Sequence, residues 1–134
     1  MSERKRVVAG FIEKEGKVLL VKRPKNKKRG GLWEFPGGKV EKEETLEEAL
    51  KRELEEELGV RAIPKEIVEK VNFYYPEEEI ELILFRTLIE GDPVLKEGEE
   101  LIWISLDEVN NLSLCEADKA LIEKIKACKK TKMG

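Results

Sequence analysis

The chain contains no histidine and only two cysteines among its 134 residues. Without histidine a zinc centre would lack its usual ligands, and Cys115 and Cys128 are too few for a disulfide framework, so both read as buried or idle thiols. Also missing are an apolar run of the roughly 20 residues that cross a bilayer and a charged-then-apolar leader. Membrane insertion and export therefore have no support, and a cytoplasmic location is expected. Net charge is small, −3 from 26 basic and 29 acidic residues, which argues against a general coat on nucleic acid and leaves no stable nucleic-acid partner to expect. Charge itself is abundant: 41% of residues are charged, mainly Lys and Glu, a bias resembling that of heat-adapted proteins. The 40% of apolar residues can fill a modest core, and residues 1–134 read as one domain.

The small total hides a segregation. Lys22, Arg23, Lys25, Lys27, Lys28 and Arg29 precede a stretch in which, from Glu41 through Glu57, nine glutamates stand against Lys42, Lys51 and Arg52, a local net charge of −6. Most of the basic run reads as a solvated loop, but Arg23 directly follows a predicted strand and is placed with the site. Within the acidic stretch, Leu46, Ala49, Leu50, Leu54 and Leu58 recur at helical spacing and would seat one side of a helix on a core. Thr45 followed by Glu48 forms a capping box, and Gly59 supplies the left-handed terminus, which bounds the helix at about 45–58. Residues three and four apart are neighbours on a helix, so Glu53, Glu56 and Glu57 converge on its other, outward side. Three clustered carboxylates repel unless a cation lies between them. A hard divalent ion such as Mg²⁺, which takes oxygen ligands and suits phosphate substrates, fits that demand.

Elsewhere Val7 to Ile12 and Lys17 to Val21 read as strands joined by a Glu15-Gly16 turn. Residues 61–75 alternate as a strand broken near Pro64, Pro76 to Glu79 reads as a turn, and Ile80 to Ile89 is a strong strand. Leu101 to Ile104 gives a last strand, Leu106 to Val109 a short helical turn, and Ala117 to Lys129 a second helix. Strands interrupted by two helices at separate points predict an α/β fold, an α/β/α sandwich with a mixed sheet.

The spacing Gly38, five residues, Glu44, seven residues, Arg52-Glu53-Leu54, one residue, Glu56-Glu57, one residue, Gly59-Val60 matches every fixed position of the box of the Nudix hydrolases. The preceding Leu32-Trp33-Glu34-Phe35-Pro36-Gly37-Gly38-Lys39 is similar to the segment that precedes the box in the MutT-like branch. Arg23, Tyr75-Pro76, the Glu97-to-Trp103 spacing and Ala117-Asp118 also fall where that branch has counterparts. The resemblance implies the Nudix fold. It also implies hydrolysis of a nucleoside triphosphate to the monophosphate and pyrophosphate with Mg²⁺ or Mn²⁺, in the manner of pool-cleaning enzymes acting on 8-oxo-dGTP or a cytidine nucleotide.

Carried onto this chain, the resemblance puts Glu53, Glu56 and Glu57 on the metal, joined by the Gly37 carbonyl. Glu53 and Glu97 both remain candidates for the general base, and Glu44 either orients the cluster or serves the first turn of the helix. Arg52 joins the catalytic set chiefly as a tether for a box carboxylate. Gly37 and Gly38 allow the backbone to approach phosphates, and Lys39 can contact them. Arg23, Glu34, Phe35, Gly38, Lys39, Tyr75 and Asp118 are the substrate-binding positions, with Tyr75 as an aromatic wall and Asp118 at the base edge. An ionised aspartate only accepts hydrogen bonds, whereas the asparagine of the best-known oxidised-guanine enzyme also donates, so Asp118 puts oxidised guanine in question unless its carboxyl is protonated. Glu78 stands in the hairpin where that enzyme carries a basic residue. ADP-ribose, dinucleoside polyphosphates or a capped RNA end are alternative substrates, and a non-catalytic nucleotide sensor is the alternative outside enzymes. The expected partner is the nucleotide alone, bound by a monomer or homodimer.

Overall fold

A computed structural model describes residues 4–98 and 100–133, with side chains described through Cys128. Two four-stranded sheets form its centre. In the first, strand β1 (Arg4–Phe11) runs parallel to β7 (Glu78–Glu90), with β5 (Gly37–Lys39) and β6 (Arg61–Tyr75) at the edges, both antiparallel to their neighbours. In the second, β3 (Lys17–Lys22) lies between β8 (Glu100–Ile104) and the short strands β2 (Glu13–Lys14) and β4 (Trp33–Glu34), all pairing with β3 antiparallel.

Helices α1 (Leu46–Leu58) and α2 (Glu116–Met133) cover opposite faces. The period-two alternation of the strands shows how. Ala9, Leu82 and Leu84 pack with Leu121, Ile122 and Ile125 of α2, whereas Val8, Ile83 and Phe85 pack with Leu50, Leu54 and Leu58 of α1. An unbroken apolar run such as Ile80 to Phe85, apart from Glu81, is what a central strand needs when both of its faces are covered. The α/β/α sandwich is therefore built by two separate cores that share strands. Among the described residues, no helix is long and apolar enough to cross a membrane.

Several local expectations shift. Helix α1 has the Thr45 capping box and the Gly59 cap at φ 66°. Strand β6 continues through Pro64, absorbing it in register shifts between Pro64 and Glu69; an edge strand tolerates proline because one row of its amides has no partner strand to serve. The hairpin turn is only Pro76-Glu77, since Glu78 already pairs with Tyr75. A glutamate there looks like turn material, but two cations hold it against the sheet. The helical turn expected at 106–109 forms later, as a 3₁₀ turn at Val109–Asn111, and α2 starts one residue earlier than expected. The short strands β2, β4 and β5 carry too few residues to show a period.

Candidate active site

The box helix does not present its three glutamates alike. At 3.6 residues per turn, position 57 lies about 40° around the axis from 53, while 56 lies about 60° in the opposite sense. Glu53 and Glu57 accordingly face a cleft of about 650 Å³, whereas the Glu56 side chain is 50% exposed and stays outside that lining. The expected outward face therefore divides: two carboxylates turn in toward β5 and one remains on the rim. Glu97 also lines the cleft. Its loop is fixed to the end of α1, where Lys96 N–H donates to the Glu57 carbonyl (2.8 Å) and Val94 N–H to that of Leu58 (2.9 Å), satisfying two of the carbonyls that a helix terminus leaves open.

Burial, and then the negative charges of Glu34, Glu53 and Glu97, push the Glu57 carboxyl up to about 9. Its Oε1 is buried and accepts no hydrogen bond. Glu53 is also raised, by burial against the lowering effect of Arg52. A buried carboxylate oxygen without a donor, beside two further carboxylates and away from sulfur or imidazole, fits a hard divalent cation. The residues present thus suit the metal that the sequence implied.

Arg52 is fully committed within the protein. Its Nε and Nη2 donate to Glu44 (2.7 and 2.9 Å), Nη1 to Glu53 (2.8 Å) and Glu56 (3.3 Å), and Nη2 also to the Lys39 carbonyl (3.0 Å). With the five guanidinium N–H groups so occupied, Arg52 is a positioning residue and has no donor left for phosphate. Glu44 is its counterpart: the hydrogen bonds from Arg52, followed by that from Glu41 N–H, lower its carboxyl to about 2.

The two glycines have structural causes in addition to any contact with phosphate. A Cβ on Gly37 would strike the Val8 carbonyl across the sheet, and one on Gly38 would enter the Glu53 carboxylate. Gly38→Ala is therefore expected to displace Glu53 and weaken Mg²⁺ binding severalfold or more while the apolar core survives. Isothermal titration with Mg²⁺ checks this; unchanged affinity would mean that Glu53 moves aside without cost.

A second, smaller cavity of about 120 Å³ adjoins the cleft on the α2 side of the sheet, lined by Phe35, Tyr75, Ile80, Leu82, Cys115 and Asp118 among others. Arg23, Glu34, Gly37, Gly38 and Lys39 line both spaces, as do Lys5, Arg29 and Glu78, which the sequence reading did not place in the site. Lys27 and Lys28 line the cleft too, so more of the basic run faces the site than its loop-like composition indicated. Lys5 had no signal beyond alternation on β1, and Arg29 none beyond the charge of its run.

Segment 113–115 docks on β4 through Trp33 N–H to Ser113 O (2.8 Å) and Cys115 N–H to Trp33 O (2.9 Å). This brings the start of α2 to the cavity, where Tyr75 Oη accepts the Ala117 N–H (3.0 Å) and Asp118 Oδ1 accepts the Phe35 N–H (3.0 Å). Burial, and then the charge of Glu34, raise the Asp118 carboxyl well above its usual range. Glu34 is raised by burial and lowered by Arg23, whose Nη1 lies 3.1 and 3.2 Å from its two oxygens. Glu34, Cys115 and Asp118 each bring a ligand-type atom within 4.8 Å of the others, but the Arg23 guanidinium already supplies the cation beside them. Burial also raises the Cys115 thiol, which keeps it protonated and unreactive.

Comparison with known proteins identifies the family. The family model of the NUDIX domain matches residues 3–125. The chain is 40% identical over 118 residues to a CTP pyrophosphohydrolase of Escherichia coli K12, covering 87% of each chain. It is 37% identical over 123 residues to an 8-oxo-dGTP diphosphatase of Haemophilus influenzae, covering 89% of each. The MutT protein of Methanosarcina mazei Go1 superposes with a TM-score of 0.87 at 30% identity, over 96% of this chain and 97% of that one. With its intact box, its inward-facing Glu53 and Glu57 and these relatives, the chain belongs to the Nudix hydrolase family as a MutT-like pyrophosphohydrolase.

Proposed function

We propose that this enzyme cleaves a nucleoside triphosphate to the monophosphate and pyrophosphate, and that Asp118 reads cytosine through its N4–H/N3 edge and selects 8-oxoguanine over guanine through the edge that carries N7 and O6. The observation that carries this reading is the buried Asp118 carboxyl, raised well above its usual range, in a cavity that adjoins a carboxylate-lined cleft. A neutral carboxyl donates through its O–H and accepts through its carbonyl oxygen. Cytosine offers N4–H beside the N3 acceptor, and the keto form of 8-oxoguanine offers N7–H beside O6. Guanine offers two acceptors, O6 and N7, on the same edge. In this reading the raised Asp118 carboxyl supplies the donor that an ionised aspartate lacks, and one group accommodates the bases of the relatives named for CTP and for 8-oxo-dGTP.

In this reading Phe35 and Tyr75 bound the base while Lys39, Lys27 and Lys28 attract the polyphosphate. Glu53 and Glu57, with Glu56 from the rim and the Gly37 carbonyl, would hold the divalent ion, Mg²⁺ or Mn²⁺. Bound there, the ion would neutralise phosphate charge and make water a nucleophile near neutral pH. Arg52 keeps Glu53 oriented, and Glu97, exposed on its pinned loop, is assigned to accept the proton of the attacking water. Alignment and charge neutralisation are the main demands of phosphoryl transfer. The reading assigns residues 1–134 to a single domain.

Pyrophosphate release from CTP, dCTP, 5-methyl-dCTP, 8-oxo-dGTP, dGTP and ADP-ribose tests the reading. Turnover of a cytosine or 8-oxoguanine triphosphate well above dGTP supports it, turnover of ADP-ribose alone replaces it with the other substrate class, and binding with no turnover of any member favours the sensor. Asp118→Asn carries a sharper expectation, because an amide donates and accepts at every pH. In the wild type, kcat/KM for 8-oxo-dGTP should decline as pH rises through the raised Asp118 pKa, because the ionised carboxyl no longer donates to O6. The variant should lose that decline. A kcat/KM for 8-oxo-dGTP that falls equally in both proteins would remove Asp118 from base reading.

A further inference from the structure

Glu78 occupies a position that the base and metal assignments leave unused. It lines both the base cavity and the metal cleft, as do Lys5, Arg23 and Arg29 among others, and so stands at the junction that a nucleotide occupying both would span. Only 8% of the residue is exposed. Its Oε2 accepts an N–H from Arg29 Nη2 (3.0 Å). Its Oε1 lies 2.8 Å from Lys5 Nζ in an ion pair. Arg29 in turn is fixed by Glu77 (2.8 Å) and by the Tyr75 ring, whose centroid is 4.0 Å away. The result is a buried carboxylate held by two cations, with lone pairs beyond those they engage, at the junction of two chambers.

The groups around Glu78 keep it an acceptor. The contact with Lys5, with Arg29 adding to it, lowers its carboxyl to about 2, so at neutral pH it has no proton to donate. A phosphate would be repelled by it, and a base has its partner at Asp118. The nucleoside group that matches an obligate buried acceptor between base and phosphates is a sugar hydroxyl, whose O–H donates.

We propose, resting on the nucleotide reading above, that Glu78 is a specificity-determining residue that accepts a hydrogen bond from a hydroxyl of the sugar. The site thereby favours a sugar carrying that hydroxyl over one lacking it. A hydrogen bond to a charged acceptor corresponds to a discrimination of about tenfold or more.

The test compares one nucleotide in its ribo, 2′-deoxy, 3′-deoxy and 2′,3′-dideoxy forms, so the identity of the base cancels. In the wild type, loss of the hydroxyl held by Glu78 should lower kcat/KM about tenfold or more, with the dideoxy form always among the losers. In Glu78→Gln, which retains the shape but halves the acceptor oxygens, that penalty should shrink to within about twofold. Equal rates for ribo and dideoxy forms in the wild type would overturn the proposal, as would a penalty that persists in the variant. A uniform fall for all four forms would show that Glu78 only anchors Lys5 and Arg29. If Glu78→Gln does not fold, Glu78→Asp carries the same comparison, because it retracts the carboxylate while keeping the charge. Calorimetric binding of the corresponding monophosphates separates the two readings: discrimination among them can persist, or fail, whether or not any triphosphate is cleaved.

Discussion

Glu57→Gln is expected to lower kcat by about 10²–10³-fold, the size of a single lost electrostatic contact to a transition state, with the fold retained. The amide matches the carboxyl in shape but cannot bring negative charge to a cation, and Glu57 is the box residue whose buried oxygen has no other donor. Pyrophosphate release under saturating Mg²⁺ measures the effect, and near-normal turnover would end the metal assignment for this residue. A second readout is independent of turnover. Burial sets the folded-state pKa of Glu57 at about 9 against an ordinary 4.5. For a carboxyl with a raised pKa, the stability it contributes is fully present below about 4.5 and is lost as pH climbs through about 9. Metal-free wild type should therefore melt at progressively lower temperature over that window, and the Gln variant, with nothing to ionise at position 57, should show less of the decline. Added Mg²⁺ should offset the alkaline loss in the wild type, because it binds the ionised form. Parallel wild-type and variant melting curves across that window would mean that the carboxyl is not shielded from water.

Leu54→Ala is expected to cost about 2–5 kcal/mol, or roughly 3–4 °C of melting temperature per kcal/mol for a chain of this size. Leu54 is fully buried in the core shared by α1 with Val8, Ile83 and Phe85. One of its methyl carbons lies 3.4 Å from where a Cβ on Gly10 would sit, so the glycine in β1 is filled from above by this side chain. Truncation leaves a void between helix and strand that neighbours in regular structure cannot close. Because Glu53 is the adjacent residue, loosening this contact should also raise the Mg²⁺ concentration needed for half-maximal rate. A melting shift of a degree or less would mean that the helix packs through a different face.

Much of the site was legible because the box is local. Thr45, Glu48, Leu54 and Gly59 declare a helix and its ends through contacts between residues a few positions apart, and the position of Arg52 one turn before Glu56 already implied a tether. Sequence alone also marked Glu34, Phe35, Tyr75, Asp118 and Glu97 through resemblance, and the structure brings all five to the two adjoining spaces. What could not be read was the orientation of Glu56, which depends on how the helix is rotated against β5. Nor could the turn-like Glu78 be placed, because its partners Lys5 and Arg29 are 73 and 49 residues away in sequence.

The sequence by itself determined the fold family, the helix bearing the carboxylates and the chemical class of the reaction, since each rests on spacing within one segment. Tertiary structure alone decided the surroundings that raise the Asp118 and Glu57 carboxyls. A carboxyl ionises according to the water and charges around it, and those surroundings exist only after α1, α2, the Glu97 loop and the first sheet have closed on one another.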